Sequence, residues 1–127
     1  MKKLDSDQSA GSKPGAARRL LRLASLIRQQ LGQVISREVE LPKGAFLTIT
    51  AIKVLADYSE VRVGLSIWPS TQAVNVLAVV ERRRGELQKF LNEKLTMYRV
   101  PRLVFYLDTT ADRVQQVERL LDNIATE

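Results

Sequence analysis

The sequence predicts one α+β domain, with element order α-β-β-α-(α)-β-α and a three-stranded sheet. Three observations predict it. Apolar residues recur at spacings of three and four in three separate stretches, the mark of amphipathic helices. Two neighbouring stretches and one later stretch are rich in strand-forming residues instead. The chain of 127 residues is 45% hydrophobic, which suits a single domain with its own core, and no internal repeat divides it.

Residues 1–15 hold Gly11, Ser12, Lys13, Pro14 and Gly15, with Leu4 the only sizeable apolar residue after Met1. They read as a flexible tail, and residues 16–127 as the single folded domain. Gly11-Ser12-Lys13 does not complete the phosphate-loop pattern G-x-x-x-x-G-K-[ST]. Over 16–37, Leu20, Leu21, Leu23, Ala24, Ile27, Leu31, Val34 and Ile35 form one helical stripe. Arg18, Arg19, Arg22 and Arg37 fall away from it, so this helix carries a core face and a basic face. Pro42 and Gly44 end it.

Residues 45–55 favour a strand through Phe46, Leu47, Ile49, Ile52 and Val54. After the polar break Ala56-Asp57-Tyr58-Ser59, the residues Val61, Val63, Leu65 and Ile67 alternate with Arg62, Gly64, Ser66 and Trp68. That period of two makes a half-buried strand, and the pair makes an antiparallel hairpin. Pro69-Ser70-Thr71 offers a helix cap. Ala73, Leu77, Val80, Leu87, Leu91 and Leu95 then keep one helical rhythm, with Val74, Val76 and Phe90 alongside. Periodicity alone carries this helix for about 27 residues, straight through Gly85. Residues 102–107 form the third strand, with Pro101 at its mouth, where no ladder donor is needed. Asp108-Thr109-Thr110 caps a last helix with the stripe Val114, Val117, Leu120, Leu121 and Ile124, and Asp112 suits the positive end of its dipole.

Composition removes whole classes of chemistry. The chain has no Cys and no His. That excludes a disulfide framework, Cys or Cys/His zinc sites, a thiol nucleophile and any His-based triad or general base. The carboxylate pairs Asp57/Glu60 and Asp108/Asp112 are the only conceivable acid–base or Mg²⁺ pairs, and capping at turns and helix starts accounts for both. No apolar run approaches a membrane span, and the N-terminus lacks the apolar region of a signal peptide. The expectation is a cytoplasmic, non-catalytic protein without cofactor or metal.

Charge points to the partner. Lys and Arg number 20 against 14 Asp and Glu, a net charge of +6, and a basic surface without catalytic groups suits a polyanion. Arg82-Arg83-Arg84 is the densest cluster; a guanidinium pair there can straddle a phosphate. The competing reading is a solvated stretch balanced by Glu81 and Glu86. Arg18, Arg19 and Arg22 form a second basic zone, an electrostatic arm or a solubilising helix face. Trp68 and Tyr58, flanking the second strand, could stack on unpaired bases or pack at the rim; Tyr98, Phe105 and Tyr106 read as core or core edge.

Over residues 18–124 the chain resembles the ribosome-binding factor A family of bacterial small-subunit assembly factors. Four features carry the resemblance: an Arg-Arg opening whose helix ends in Ser36-Arg37-Glu38-Val39; the strand pair Leu47-Thr48-Ile49-Thr50-Ala51-Ile52-Lys53-Val54 and Ser59-Glu60-Val61-Arg62-Val63-Gly64-Leu65-Ser66; the helix ending Leu95-Thr96-Met97-Tyr98-Arg99-Val100-Pro101; and the strand Arg102-Leu103-Val104-Phe105-Tyr106-Leu107-Asp108. The order and spacing of the four, rather than any one motif, make the match. The resemblance implies a type-II KH-like RNA-binding domain, with a helix kink marked Ala-x-Gly where true KH domains carry G-x-x-G. Spacing back from Val100-Pro101 places that kink on Arg83-Arg84-Gly85, where Gly85 matches and Arg83 departs from the small residue. The family's Asp-Pro-Arg after the first helix is replaced by Leu41-Pro42-Lys43.

The family's role implies ribosome biogenesis and rRNA processing. The protein would bind 16S rRNA on free 30S subunits and their precursors, beside ribosomal proteins, and assist maturation of the rRNA 5′ end. It would be a monomer, and Arg18, Arg19, Arg22, Arg82, Arg83 and Arg84 would hold the RNA. The alternatives are a stand-alone KH-type module for single-stranded RNA, against which the missing G-x-x-G counts, and a basic protein-interaction module.

Overall fold

The computed structural model describes residues 14–109. Helix α1 (Pro14–Glu38) leads into strands β1 (Phe46–Val54) and β2 (Glu60–Trp68). A short 3-10 turn (Ser70–Gln72), helices α2 (Ala73–Arg82) and α3 (Arg84–Lys94) and strand β3 (Arg102–Leu107) follow. The sheet order is β1-β2-β3, antiparallel between β1 and β2 and parallel between β2 and β3. Every element expected within this range is present. The expected last helix, with its stripe from Val114 to Ile124, lies outside the described residues.

Helix α1 begins at Pro14, earlier than the expected Ala16, and proline is at home in a first helical turn, where its missing N–H is no loss. Its stripe divides into two halves. Ile27, Leu31, Val34 and Ile35 are buried, whereas Leu20, Leu23 and Ala24 are only partly so and Leu21 is 71% exposed. The first turns of α1 therefore overhang the core, which corrects the placing of Leu21 on the buried face. The sheet supplies Val61, Val63, Leu65, Ile67, Leu103 and Phe105, and α2 and α3 supply Val76, Val80, Leu87 and Leu91. Each such side chain stabilises the fold by about 1.5–3 kcal/mol of transfer free energy.

In β1 the inward residues change parity, from Leu47 and Ile49 to Ile52 and Val54. The register shifts between Ile49 and Ala51, so a bulge at Thr50 keeps all four facing the helices. On the free side of β1, Arg28 of α1 donates from Nη1 to the Ile49 carbonyl at 3.0 Å. The turn before β1 closes through the Ala45 N–H and the Pro42 carbonyl, with Gly44 at φ 84°. That conformation strains any residue with a Cβ.

The chain reverses between β2 and α2 through the 3-10 turn, and α2 starts without a side-chain cap. The expected Pro69-Ser70-Thr71 cap is thus replaced by backbone bonding from Gln72 N–H to the Pro69 carbonyl. The long helix expected from periodicity is broken. At Arg83 (φ −95°, ψ 2°) the N–H is shared between the carbonyls of Val79 and Val80, and the next helix opens from the Arg83 carbonyl. Gly85 does not make the break. It sits inside α3 with nothing within 4 Å of where a Cβ would stand. Gly85→Ala is therefore expected to raise the melting temperature, by up to about 1 kcal/mol of helix propensity. A thermal melt checks it; a lowered midpoint would mean that the backbone needs glycine there.

Candidate nucleic-acid interface

Helices α1 and α3 run antiparallel. Val34, Arg37 and Glu38 of α1 share a cleft with Arg83, Leu87 and Phe90 of the break and α3, while Arg19, Arg22 and Leu26 share a second with Leu95 and Met97 just beyond α3. This puts the two predicted basic zones at opposite ends of the helix pair. From Arg22 to Arg37 the axis rises about 22 Å, at 1.5 Å per residue. The two zones cannot hold the same phosphate.

At the first end Arg18, Arg19 and Arg22 are exposed, and no described carboxylate pairs with them. Arg19 and Arg22 rim an apolar cavity of about 380 Å³ floored by Leu23, Leu26, Leu95 and Met97.

At the second end the three arginines have separate fates. Arg82 is exposed without a described carboxylate partner. Arg83 is half-buried and bridges Glu38 (Nη2–Oε1 3.7 Å) and Glu86 (Nε–Oε1 3.1 Å). Its Nε is enclosed, and the Glu86 contact is an ion pair too bent for a hydrogen bond. Arg84 Nε donates to Glu81 at 3.0 Å. Glu81 and Glu86 do balance the cluster, as its bland reading expects. Arg83 joins the end of α1 to the start of α3, so Arg83→Gln is expected to lower stability by about 0.5–1 kcal/mol, the range of part-exposed ion pairs. Arg82→Gln should leave stability unchanged. Paired urea melts compare the two, and equal midpoints would sink the distinction.

Beside Arg84 the structure opens a groove that the sequence reading did not assign. Its cavity, about 640 Å³, is lined by Arg84, Gly85, Gln88, Asn92, Tyr98, Arg99 and Arg102. Tyr98 is fully exposed there, which corrects its placing at the core or core edge; Tyr106 is 41% exposed, and only Phe105 of the three is buried. One aromatic and two cations, Tyr98, Arg99 and Arg102, fall within five residues, visible in the sequence but masked by the helix-ending motif around them. Facing Arg37 and Lys94, the Phe90 ring lies 5.5 Å from each cation, a contact that holds the two charges at the helix surface.

The carboxylates are already engaged. Asp57 accepts from the Ser59 hydroxyl at 2.7 Å and from its N–H at 3.1 Å, and these bonds hold its carboxyl below the ordinary range. Glu60 pairs with Arg102 at 2.8 Å and Arg62 at 3.6 Å. Asp108 accepts from the Thr50 hydroxyl at 2.7 Å. Asp112 lies outside the described residues. Among the described residues no helix is long and apolar enough to cross a membrane.

The family model for ribosome-binding factor A matches residues 19–121. The chain belongs to the ribosome-binding factor A family. A ribosome-binding factor A of Roseiflexus sp. is 34% identical over 113 residues, covering 87% of this chain and 87% of that one. Its counterpart in Bdellovibrio bacteriovorus is 29% identical over 114 residues, covering 89% and 85%. In solved structures the fold matches the crystal structure of ribosome-binding factor A from Thermus thermophilus, with TM-score 0.58 and 22% identity over 69% of this chain and 93% of that one. It also matches the solution structure of a Thermotoga maritima protein proposed as a ribosome binding factor A, with TM-score 0.62 and 24% identity over 76% and 91%. The α-β-β-α-α-β order with an interrupted central helix is the KH-like arrangement, and in this member of the ribosome-binding factor A family an ion-paired arginine occupies the interruption.

Proposed function

We propose that this protein binds the immature 30S subunit through its 16S rRNA and assists 5′-end maturation and assembly, without a catalytic step, as a monomer in the cytoplasm. The observation that carries this reading is the division of exposed cations between two stations at the ends of one rigid helix pair. Arg18, Arg19 and Arg22 form one station and Arg82 and Arg84 the other; the groove that carries Arg99 and Arg102 runs between them, with Met97 lining both it and the Arg19–Arg22 cavity. A spacing of about 22 Å, from the helical rise, suits two separated stretches of folded RNA better than one short strand. Phosphate contacts position a protein and carry no sequence information, so specificity rests on RNA shape and on neighbouring ribosomal proteins. Arg83 has a lesser part, because its half-buried guanidinium lies between Glu38 and Glu86, whereas Arg84 and Arg102 each meet one carboxylate and stay exposed. The domain proper spans 16–127, and residues 1–15 act as a dispensable tail apart from the helical turn that starts at Pro14.

Sedimentation of the tagged protein in a bacterial lysate tests the proposal. It should travel with free small subunits and their precursors, and salt should release it steeply. Travel with translating ribosomes, or salt-insensitive capture by a protein alone, would refute it.

A further inference from the structure

The outer face of the sheet, opposite the helices, carries a second pattern of planar, hydroxyl and cationic side chains. Strand register sorts it into rows. Phe46 pairs with Trp68, Thr48 with Ser66, and Lys53 with Arg62. Between the last two rows Gly64 lies beside Tyr106 of β3. Phe46 and Trp68 are 63% and 64% exposed, their centroids 6.2 Å apart at 43°. Tyr106 lies over Gly64 so closely that a Cβ there would stand 2.8 Å from the tyrosine oxygen and 2.9 Å from Cζ. The missing side chain at 64 is what lets the ring lie across β2. Trp68 and Gly64 are about 13 Å apart along the strand, and Arg62 is about 7 Å beyond, at roughly 3.3 Å per residue.

We propose that this face is a platform for an unpaired stretch of RNA. Bases stack on Trp68, Phe46 and Tyr106, phosphates meet Lys53 and Arg62, and the Thr48 and Ser66 hydroxyls face the strand between them. Two observations favour RNA over a protein partner. Around the aromatics the face carries the Thr48 and Ser66 hydroxyls and the Lys53–Arg62 row, with only Ala51 and Val104 as small apolar members, so a protein would have to bury polar groups and the Lys53–Arg62 row against acidic partners. The aromatics form two stations, Phe46 with Trp68 and then Tyr106, about 13 Å apart along the strand, a span that an extended strand of about two nucleotides can bridge. The platform extends the proposed function; its aromatics are separate from that function's arginines, although Arg62 shares Glu60 with Arg102 of the groove.

Trp68 is the only tryptophan, so its emission reports this face alone. The full-length protein is titrated with a labelled, unstructured 12-nucleotide RNA and with a fully paired hairpin of equal length. The unpaired RNA should quench Trp68 and the hairpin should not. Trp68→Ala and Tyr106→Ala should each weaken binding of the unpaired RNA about ten-fold with an unchanged salt slope, and Trp68→Phe should retain most of it. Lys53→Gln with Arg62→Gln should flatten the slope by about 1.4. Unchanged emission while label anisotropy reports binding would overturn the platform. So would equal quenching by the hairpin, unaltered affinity of a folded Trp68→Ala protein, or concentration-dependent dimers abolished by Trp68→Ala. If Trp68→Ala still sediments with small subunits, the helix stations stand by themselves. If the platform variants behave as expected but no form sediments with subunits, the platform stands and the assembly function falls.

Discussion

Gln88→Leu should unfold the protein about 8 °C or more below the parent, a loss of about 2–4 kcal/mol. One side chain holds two backbone groups at the mouth of β3 that have no other partner among the described residues. Gln88 Nε2 donates to the Pro101 carbonyl at 3.1 Å, and Gln88 Oε1 accepts from the Leu103 N–H at 2.8 Å. Strand β3 is an edge strand, bonded to β2 on one side only, beginning with Arg102 N–H to the Ser59 carbonyl. The Leu103 N–H takes a side chain as its acceptor in place of a neighbouring strand. Leucine fits the same volume but leaves both groups unpaired in a part-buried setting, at about 1–3 kcal/mol each. Gln88→Glu should fall between, because it keeps the acceptor and loses the donor. Thermal and urea unfolding measure all three proteins. A shift of under 2 °C for the leucine variant would show that water replaces Gln88 without loss.

The second large effect is on binding. Replacing Arg18, Arg19 and Arg22 together with Gln should weaken small-subunit association about 100-fold at 0.1 M salt. It should also lower the slope of log K against log salt by about 2, since each phosphate contact contributes about 0.7 to the slope. These residues sit on an ordered helix, so they lose little entropy on binding. Deletion of residues 1–13, which carry three lysines, should weaken association less. Both variants are compared at one ionic strength. If the deletion is the more damaging, the helix face is not the main electrostatic contact.

Element order, the antiparallel hairpin and most of the core were legible because burial leaves a period in the sequence. The strict alternation from Val61 to Ile67 and the stripe from Ile27 to Ile35 each translate directly into a buried face. What was not legible depends on how elements end against one another. Leu21 keeps the helical rhythm of its neighbours, but α1 outruns the core and leaves it exposed. The break falls on Arg83, the first residue of the expected Arg83-Arg84-Gly85 kink, and not on Gly85; Glu86, three residues on, is a local partner of Arg83, but Glu38 becomes its neighbour only after α1 and α3 pack. The same holds for the site. The two basic clusters and their balance by Glu81 and Glu86 could be read from the sequence, but that Glu38 of α1 also reaches Arg83, that Arg18 and Arg82 stand at opposite ends of a helix pair, and that Tyr98 points to solvent follow from tertiary packing.

Arg28 and Gln88 have one more property in common. One occupies the Ile49 carbonyl on the free side of β1 and the other the Leu103 N–H on the free side of β3, so a long side chain from a helix is plugged into each margin of the sheet. A three-stranded sheet with bare margins is a template on which a foreign strand can add, and the same template can seed aggregation. Here an incoming strand must first displace a hydrogen bond at either side, and at β1 it also meets the irregular pitch of the Thr50 bulge. Strand addition is thereby disfavoured at both described rims, and the sheet's flat face is the surface left open.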